Sequence, residues 1–405
     1  MKRGSSLVLV GVMTLFLALI SCQGPRSLDL AWSVRRGLVG QWGVRGEEVF
    51  IVGQYLVVYN LTDGRELRRV PLPKDYGRTT FGEISPELAI NDTSLVFAWY
   101  DFKDKEAKIF CYDPKTLALR WERVFQWPWD APIAPTFSVV VDKIHLHALA
   151  IGKEGQNLFK LRLTDGATEW SMAVDRFVRG VPLALYDGKL LVRSTVSPYS
   201  ENAYGYFQAI DPESGKVLWR VRIDGKSGHK DDQPLISRDH TYLTSEAPSP
   251  DGVHFYTVDL RRGKIVNHQL VHRLRRPLAE NQGILYFGSS RPAAFDLQRK
   301  QVVWQAHLYG PEGLGPPVNA TGLLDPVREE IYLGDWERDL YILSARSGEV
   351  KDKVYIRGFW RGEIFSPVKA FFASYGVRRL ELEQGLLFVG TVDSNLFVFR
   401  QRGTK

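Results

Sequence analysis

Ala209-Ile210-Asp211-Pro212-Glu213-Ser214-Gly215-Lys216-Val217-Leu218-Trp219 reads as the end of one apolar strand, a polar reversal, and a second strand carrying a tryptophan. An Asp side chain accepts hydrogen bonds from backbone amides two residues on, and Gly takes the positive φ that side chains resist. Asp211 and Gly215 therefore predict a tight hairpin. The unit recurs. Asp113 stands eight residues before Trp121, Arg162 eight before Trp170 with Gly166 between them, and Asp296 eight before Trp304. Weaker copies pivot at Asn60, Asp259, Ser344 and Arg400; Trp219 closes the quoted copy, while Arg68, Asn267 and Asp352 hold the tryptophan position in three others. The eight pivots recur about every 49 residues, close to the length of a four-stranded propeller blade.

Prolines give a second register. Pro86, Pro132, Pro182, Pro234, Pro277, Pro317 and Pro367 each stand ahead of a short apolar run, and two further runs lie between proline and pivot. Proline lacks a ladder donor and suits the first residue of an edge strand, as at the inner rim of a blade. The expected fold is therefore all-β, an eight-bladed propeller of four-stranded antiparallel blades spanning residues 28–400. The last unit supplies Leu386-Leu387-Phe388-Val389 and Leu396-Phe397-Val398-Phe399 and then lacks an outer strand, whereas residues 28–34, with Trp32, have no strands before them. Pairing the two ends would close the ring and remove two sheet edges. Trp32, Trp121, Trp170, Trp219 and Trp304 are read as seam-covering side chains on outer strands, and Asp113, Asp211, Asp259, Asp296 and Gly215 as the turn chemistry.

Composition agrees with a packed domain: 405 residues, 44% hydrophobic and 24% charged, with 36 Gly, 21 Pro and a formal charge of +7. These values exclude a disordered chain, a collagen and a coiled coil. The one long apolar run lies at the N-terminus, where Lys2 and Arg3 precede the uncharged stretch Leu7 to Ile20. It is too short for a comfortable membrane-spanning helix and has the order of an export signal. Leu19-Ile20-Ser21-Cys22 resembles the bacterial lipobox, which implies cleavage after residue 21 and lipidation of Cys22. Residues 1–21 are then signal, 22–27 a lipidated tether and 401–405 a tail. Gln23 after the Cys points to the outer membrane. The remaining cysteine, Cys111, sits in the apolar run Ile109-Phe110-Cys111-Tyr112 and has no partner for an intrachain disulfide. It reads as a small core hydrophobe.

The repeat is similar to that of the quinoprotein-like β-propeller family, whose motif Ala-x-Asp-x-x-Thr-Gly-x-x-x-Trp the stretch Ala209 through Trp219 follows nearly position for position. Two functional classes belong to that family: quinone-dependent dehydrogenases, which also use calcium, and cofactor-free scaffolds. The scaffolds include a propeller lipoprotein of the outer-membrane barrel-assembly machinery. The dehydrogenases usually place two adjacent cysteines against the quinone, and this chain has none. Taken with the lipobox, the resemblance implies a non-enzymatic, cofactor-free scaffold in the bacterial cell envelope. It would be anchored by lipid in the outer membrane and would face the periplasm as a single copy within a larger protein complex.

Candidate sites follow from exposed chemistry. Trp127 and Trp129, with Trp336 and Arg338, stand in connections between apolar runs and could anchor a protein partner, since aromatic and Arg side chains dominate interface hot spots. His145 and His147 share a strand face but are too few for a zinc site. The run His229-Lys230-Asp231-Asp232 reads as a solvated loop, and the cluster Arg273, Arg275 and Arg276 as a basic loop that could meet anionic lipid or an acidic surface. Nucleic acid is not an expected partner of an exported chain. No phosphate-binding loop, nucleophile elbow or His-Glu-x-x-His appears in the sequence. The rival reading is a ligand-binding or quinone-dependent propeller enzyme, whose site could assemble in the central channel from residues far apart in the chain.

Overall fold

The computed structural model describes residues 28–35, 41–53, 55–72, 88–101, 106–126, 138–152, 155–174, 183–196, 203–225, 234–247, 252–272, 274–288, 291–308, 321–335, 339–356, 377–391 and 395–402. Among them the chain forms 32 strands and no helix. The strands group into eight sheets of four, antiparallel throughout, giving an eight-bladed β-propeller. Blades 1 to 7 use consecutive strands within residues 41–71, 88–126, 138–173, 183–224, 235–272, 277–305 and 321–355. Blade 8 takes three strands from residues 377–401 and its outer strand, Leu28–Arg35, from the other end of the chain.

Both faces of a blade are buried, so its middle strands are apolar nearly throughout; Leu386–Thr391 is buried at every residue. The core is correspondingly divided. Each of eight apolar clusters spans one seam between neighbouring blades, from Phe50, Val58, Phe97 and Phe110 between blades 1 and 2 to Trp42, Ile51, Phe388 and Val398 between blades 8 and 1. Of the prolines expected to open inner strands, Pro234 directly precedes Leu235–Ser237 and Pro277 begins Pro277–Asn281. The other five lie outside the described residues.

The ring closes as the two ends of the sequence imply. Leu28 pairs with Gln401, Asp29 with Arg400 and Trp32 with Val398. Arg402 donates from Nε and Nη2 to the two carboxylate oxygens of Asp29 at 2.9 and 2.8 Å, and on the inner side Arg379 Nη1 donates to the Trp42 carbonyl at 2.7 Å. One boundary moves. The last strand runs through Gln401, expected in the tail, because its buried amide donates to Asp325 Oδ2 at 2.9 Å and to Tyr332 Oη at 2.8 Å.

The tryptophans lie on outer strands and dock across seams. The indole of Trp32 packs on Gly64, Trp121 on Gly166, Trp170 on Gly215, Trp219 on Gly263 and Trp304 on Gly348, each glycine in the next blade's reversal and at positive φ. Four indole N–H groups donate into that reversal: Trp32 to the Leu61 carbonyl at 2.9 Å, Trp121 to Leu163 at 2.8 Å, Trp170 to Pro212 at 3.0 Å and Trp304 to Ala345 at 2.9 Å. Trp219 packs in the same way, but its buried Nε1 finds no acceptor among the described residues. The Asp pivots act as expected: Oδ1 of Asp113, Asp259 and Asp296 each accepts two backbone amides of its own turn. Asp211 Oδ1 accepts the Glu213 amide at 3.1 Å.

Where the tryptophan is missing, the facing glycine is missing too. Arg68 faces the turn of Leu117 and Asn267 precedes the turn of Lys300, and both non-glycine residues hold the same left-handed conformation, at φ 57 and 56. Arg68 substitutes for the indole by donating from Nη1 to the Pro114 carbonyl at 3.1 Å. The third exception, Asp352, precedes a unit whose equivalent residue, Thr404, lies outside the described residues. Positive φ is thus tolerated with a side chain; what demands glycine is the indole, since a Cβ on Gly263 would stand 2.2 Å from Trp219 Cγ.

Gly263→Ala should therefore destabilise by about 1–2 kcal/mol for left-handed backbone and about 1–3 kcal/mol more for overpacking. In a Trp219→Leu background the second part should vanish. Urea denaturation of the four proteins in this cycle measures the coupling, and equal losses in both backgrounds would refute indole contact as the cause.

Candidate functional site

Propeller topology sorts the connections. Those within each blade from inner strand to second strand, and from third strand to outer strand, are tight turns at one end of the ring, here the turn face. Connections from second to third strand and from blade to blade leave at the opposite end, the connection face. The strand ends on either side of every internal stretch outside the described residues lie at the connection face. The blade-to-blade links between Pro71 and Leu88, Gln126 and Ser138, Gln305 and Thr321, and Tyr355 and Val377 are the longest of them. The N-terminal end of Leu28–Arg35 lies at the turn face, beside Gln401.

The predicted interaction residues Trp127, Trp129, Trp336 and Arg338 lie outside the described residues, as do Cys22, Arg273 and the run from His229 to Asp232. The strand ends flanking Trp336 are joined to each other: the Asp339 amide donates to Asp335 Oδ1 at 2.7 Å and the Asp335 amide to the Asp339 carbonyl at 2.9 Å. Arg275 is paired with Glu246 at 2.8 Å. Cys111 is fully buried, and burial pushes its thiol up to about 11, which disfavours the thiolate.

Two features emerge that single residues did not signal. On blade 4, Arg220 stacks over the Tyr206 ring at 3.4 Å and Arg222 over Tyr204 at 4.3 Å. Arg222 Nε also donates to Asp224 Oδ1 at 2.7 Å. This makes an outward Arg and Tyr surface of the kind protein interfaces use. The alternation Trp219-Arg220-Val221-Arg222 carried the signal, one face to the seam and the other to solvent.

The second feature is an ionisable seam between blades 3 and 4. His147 and Lys160 face each other across two strands, at a cross-strand position held elsewhere by Phe50 with Val58, Val96 with Cys111, Leu191 with Ala209 and Phe388 with Val398. Lys160 is only 1% exposed, and its Nζ reaches Glu169 Oε2 at 3.2 Å and, in the next blade's turn, Glu213 Oε2 at 2.7 Å. His145 Nε2 also meets Glu169 at 3.2 Å. His147 Nε2 meets Asp142 Oδ2 at 3.3 Å, while its Nδ1 has no partner among the described residues. Burial opposes charge on both buried bases. For Lys160 the two carboxylates outweigh burial and hold the amine above its ordinary range; for His147 burial wins over Asp142 and the imidazole is held low. The two histidines share a face, as the strand period implies, but among the described residues no three His, Cys, Asp or Glu side chains gather for a metal ion.

Known proteins share this architecture. The fold defines a propeller of the quinoprotein-like repeat class. Residues 154–358, just over half of the chain, match the family model described as outer membrane protein assembly factor BamB, and the chain belongs to that family. BamB from Moraxella catarrhalis is similar in fold at 15% identity and a TM-score of 0.63, over 92% of this chain and 99% of that one. Quinohemoprotein alcohol dehydrogenase from Comamonas testosteroni shares the fold at 13% identity and a TM-score of 0.60, over 94% of this chain and 77% of that one. The computationally designed Ika8 protein does so at 11% identity and 0.58, over 92% and 98%. No curated protein matches the chain.

The depressed His147 titration has a defined consequence. The folded chain binds fewer protons here than the unfolded chain, so this contribution to stability is complete above the ordinary histidine value of 6.5 and is lost as pH falls below it. His254, also held low by burial, acts in the same direction. His147→Phe, which copies Phe50 at the equivalent position of blade 1, should lose less of its melting temperature between pH 7.5 and 5.5 than the parent. An unchanged pH dependence would show that His147 does not titrate with unfolding.

Proposed function

We propose that this chain is a lipid-anchored, non-enzymatic scaffold that serves outer-membrane protein assembly from the periplasmic side. The observation that carries the reading is the match of residues 154–358 to a family described as an outer membrane protein assembly factor. Topology supports it. Leu28–Arg35 begins at the turn face, while the strands that flank Trp127 and Trp129, and those that flank Trp336 and Arg338, end at the connection face. Residues 22–27 span at most about 20 Å when fully extended, so the anchor holds the turn side of blade 8 near the lipid. Protein partners then engage the connection face and the adjoining Arg220 and Tyr206 surface of blade 4. The architecture suits such work, since eight blades joined through eight apolar seams form one closed ring.

Two measurements test this. Cys22→Ser should shift the protein from the membrane to the soluble fraction, because the lipid attachment is lost. Crosslinking in intact cells followed by purification should recover components of the barrel-assembly machinery with the parent protein, with a reduced yield for the double variant Trp127→Ala, Trp336→Ala. Recovery of no such component would overturn the assignment.

A further inference from the structure

We propose that the turn face of blades 5 to 8 is a lipid-contacting surface that binds anionic phospholipid headgroups, with Val327 inserted among them. The inference rests on the reading that Cys22 carries the lipid, which selects the face: Leu28 stands at the turn face beside Gln401, and residues 22–27 reach at most about 20 Å. The turn between Thr321–Asp325 and Glu330–Gly334 is built onto that same corner of the ring. Asp325, 3% exposed, accepts the Val327 and Arg328 amides on Oδ1 at 3.0 and 3.2 Å and the Gln401 side-chain amide on Oδ2 at 2.9 Å. Arg328 Nη2 donates to the Arg402 carbonyl at 2.7 Å. The turn is thereby fixed to blade 8, one strand away from Leu28, and it holds Val327 outward at its tip. At 91% exposed, Val327 is the most exposed large apolar side chain among the described residues. An apolar tip fixed in water gains free energy only where water is displaced, and the boundary between headgroups and acyl chains displaces it.

Charge on the turn face is divided to match. The reversals from third to outer strand in blades 1 to 4, residues 60–65, 113–118, 162–167 and 211–216, hold four cations and five anions. Those of blades 5 to 8, residues 259–264, 296–301, 344–349 and 400–402, hold eight cations and three anions. Two of these anions are turned inward: Asp259 and Asp296 accept amides of their own turns and their side chains are 15% and 17% exposed, whereas Arg262 and Arg299 beside them are 77% and 74% exposed. Lys264 and Lys300 are exposed in the same two reversals. Arg346 and Arg402 are paired with Glu329 and Asp29, so the excess positive charge is concentrated in blades 5 and 6. Basic reversals, apolar tip and first strand thus occupy successive sectors of one half of the ring. Guanidinium groups match phosphate oxygens in geometry, and cations near an anionic lipid surface strengthen attachment additively. The ring meets lipid with blades 5 to 8 toward it, which leaves the connection face to protein partners. Ile144, 62% exposed in the corresponding turn of blade 3, lies on the other half and stays in water.

The test uses the full chain with Cys22→Ser, which has no attached lipid, and measures flotation with vesicles of phosphatidylcholine alone or of phosphatidylcholine and phosphatidylglycerol at about three to one. Binding is expected to the anionic vesicles and to be lost between about 0.1 M and about 0.5 M NaCl. Adding Arg262→Glu and Arg299→Glu should weaken it at least about tenfold, and Val327→Asp at least about threefold, both with an unchanged melting temperature. Ile144→Asp should leave it unchanged. All these variants share residues 1–21, so the differences among them read the ring alone. No preference for the anionic vesicles overturns the proposal, as does binding indifferent to the Arg262 and Arg299 pair, or a loss as large for Ile144→Asp as for Val327→Asp. Contact through this surface is reversed by salt, whereas a covalent lipid is not; cell fractionation after a salt wash therefore reads the anchor and the vesicles read the surface, so the two failures are distinguishable.

Discussion

The ring is held by the flat contact of an indole against a glycine in the neighbouring blade. A blade has two apolar faces and is only four strands wide, so it cannot bury itself; its stability resides in its seams. At five seams a tryptophan closes the outer, wetter end of the apolar cluster, and its face lies where a Cβ would otherwise stand. Four of these indoles also donate to a carbonyl in the same reversal, which ties orientation to packing. The contact therefore determines two positions in different blades, well separated in the chain. The seams that abandon it abandon both partners, as Arg68 with Leu117 and Asn267 with Lys300 show.

Blade 8 extends this logic to the chain ends. Trp32 comes from the N-terminal strand, yet it packs on Gly64 as if it followed Phe399 in sequence. Closure is thus part of the same repeating contact, reinforced by the Arg402 and Asp29 ion pair outside and Arg379 with Trp42 inside. The closed ring has two unlike ends, with the tight turns, Leu28 and Gln401 at one and the strand ends of the blade-to-blade links at the other. The blade 3 and 4 seam is the departure: a buried Lys160 held by two carboxylates replaces small apolar packing. Such pairs contribute little net stability but are costly to break.

Much of the fold was legible because a repeat multiplies weak signals. Asp211, Gly215 and Trp219 alone would indicate a hairpin; eight copies indicate a ring. The site was less legible. Trp127, Trp129, Trp336 and Arg338 could be assigned to connections from the sequence and lie outside the described residues, whereas the Arg220 and Tyr206 stack needed cross-strand register. The His147 and Lys160 pair was visible only as two histidines on a strand, since its meaning depends on Glu213 from the next blade.

By itself the amino-acid sequence determined the number of blades, the turn chemistry and the strand that closes the ring, because these rest on spacing and on interactions within a few residues. Only the tertiary structure decided which side chains meet across seams, and that Leu28 and Gln401 lie at the end of the ring opposite the strand ends of the blade-to-blade links. Those outcomes depend on contacts between residues a blade or more apart, where pairing register and the direction of each strand, rather than local preference, set who the neighbours are.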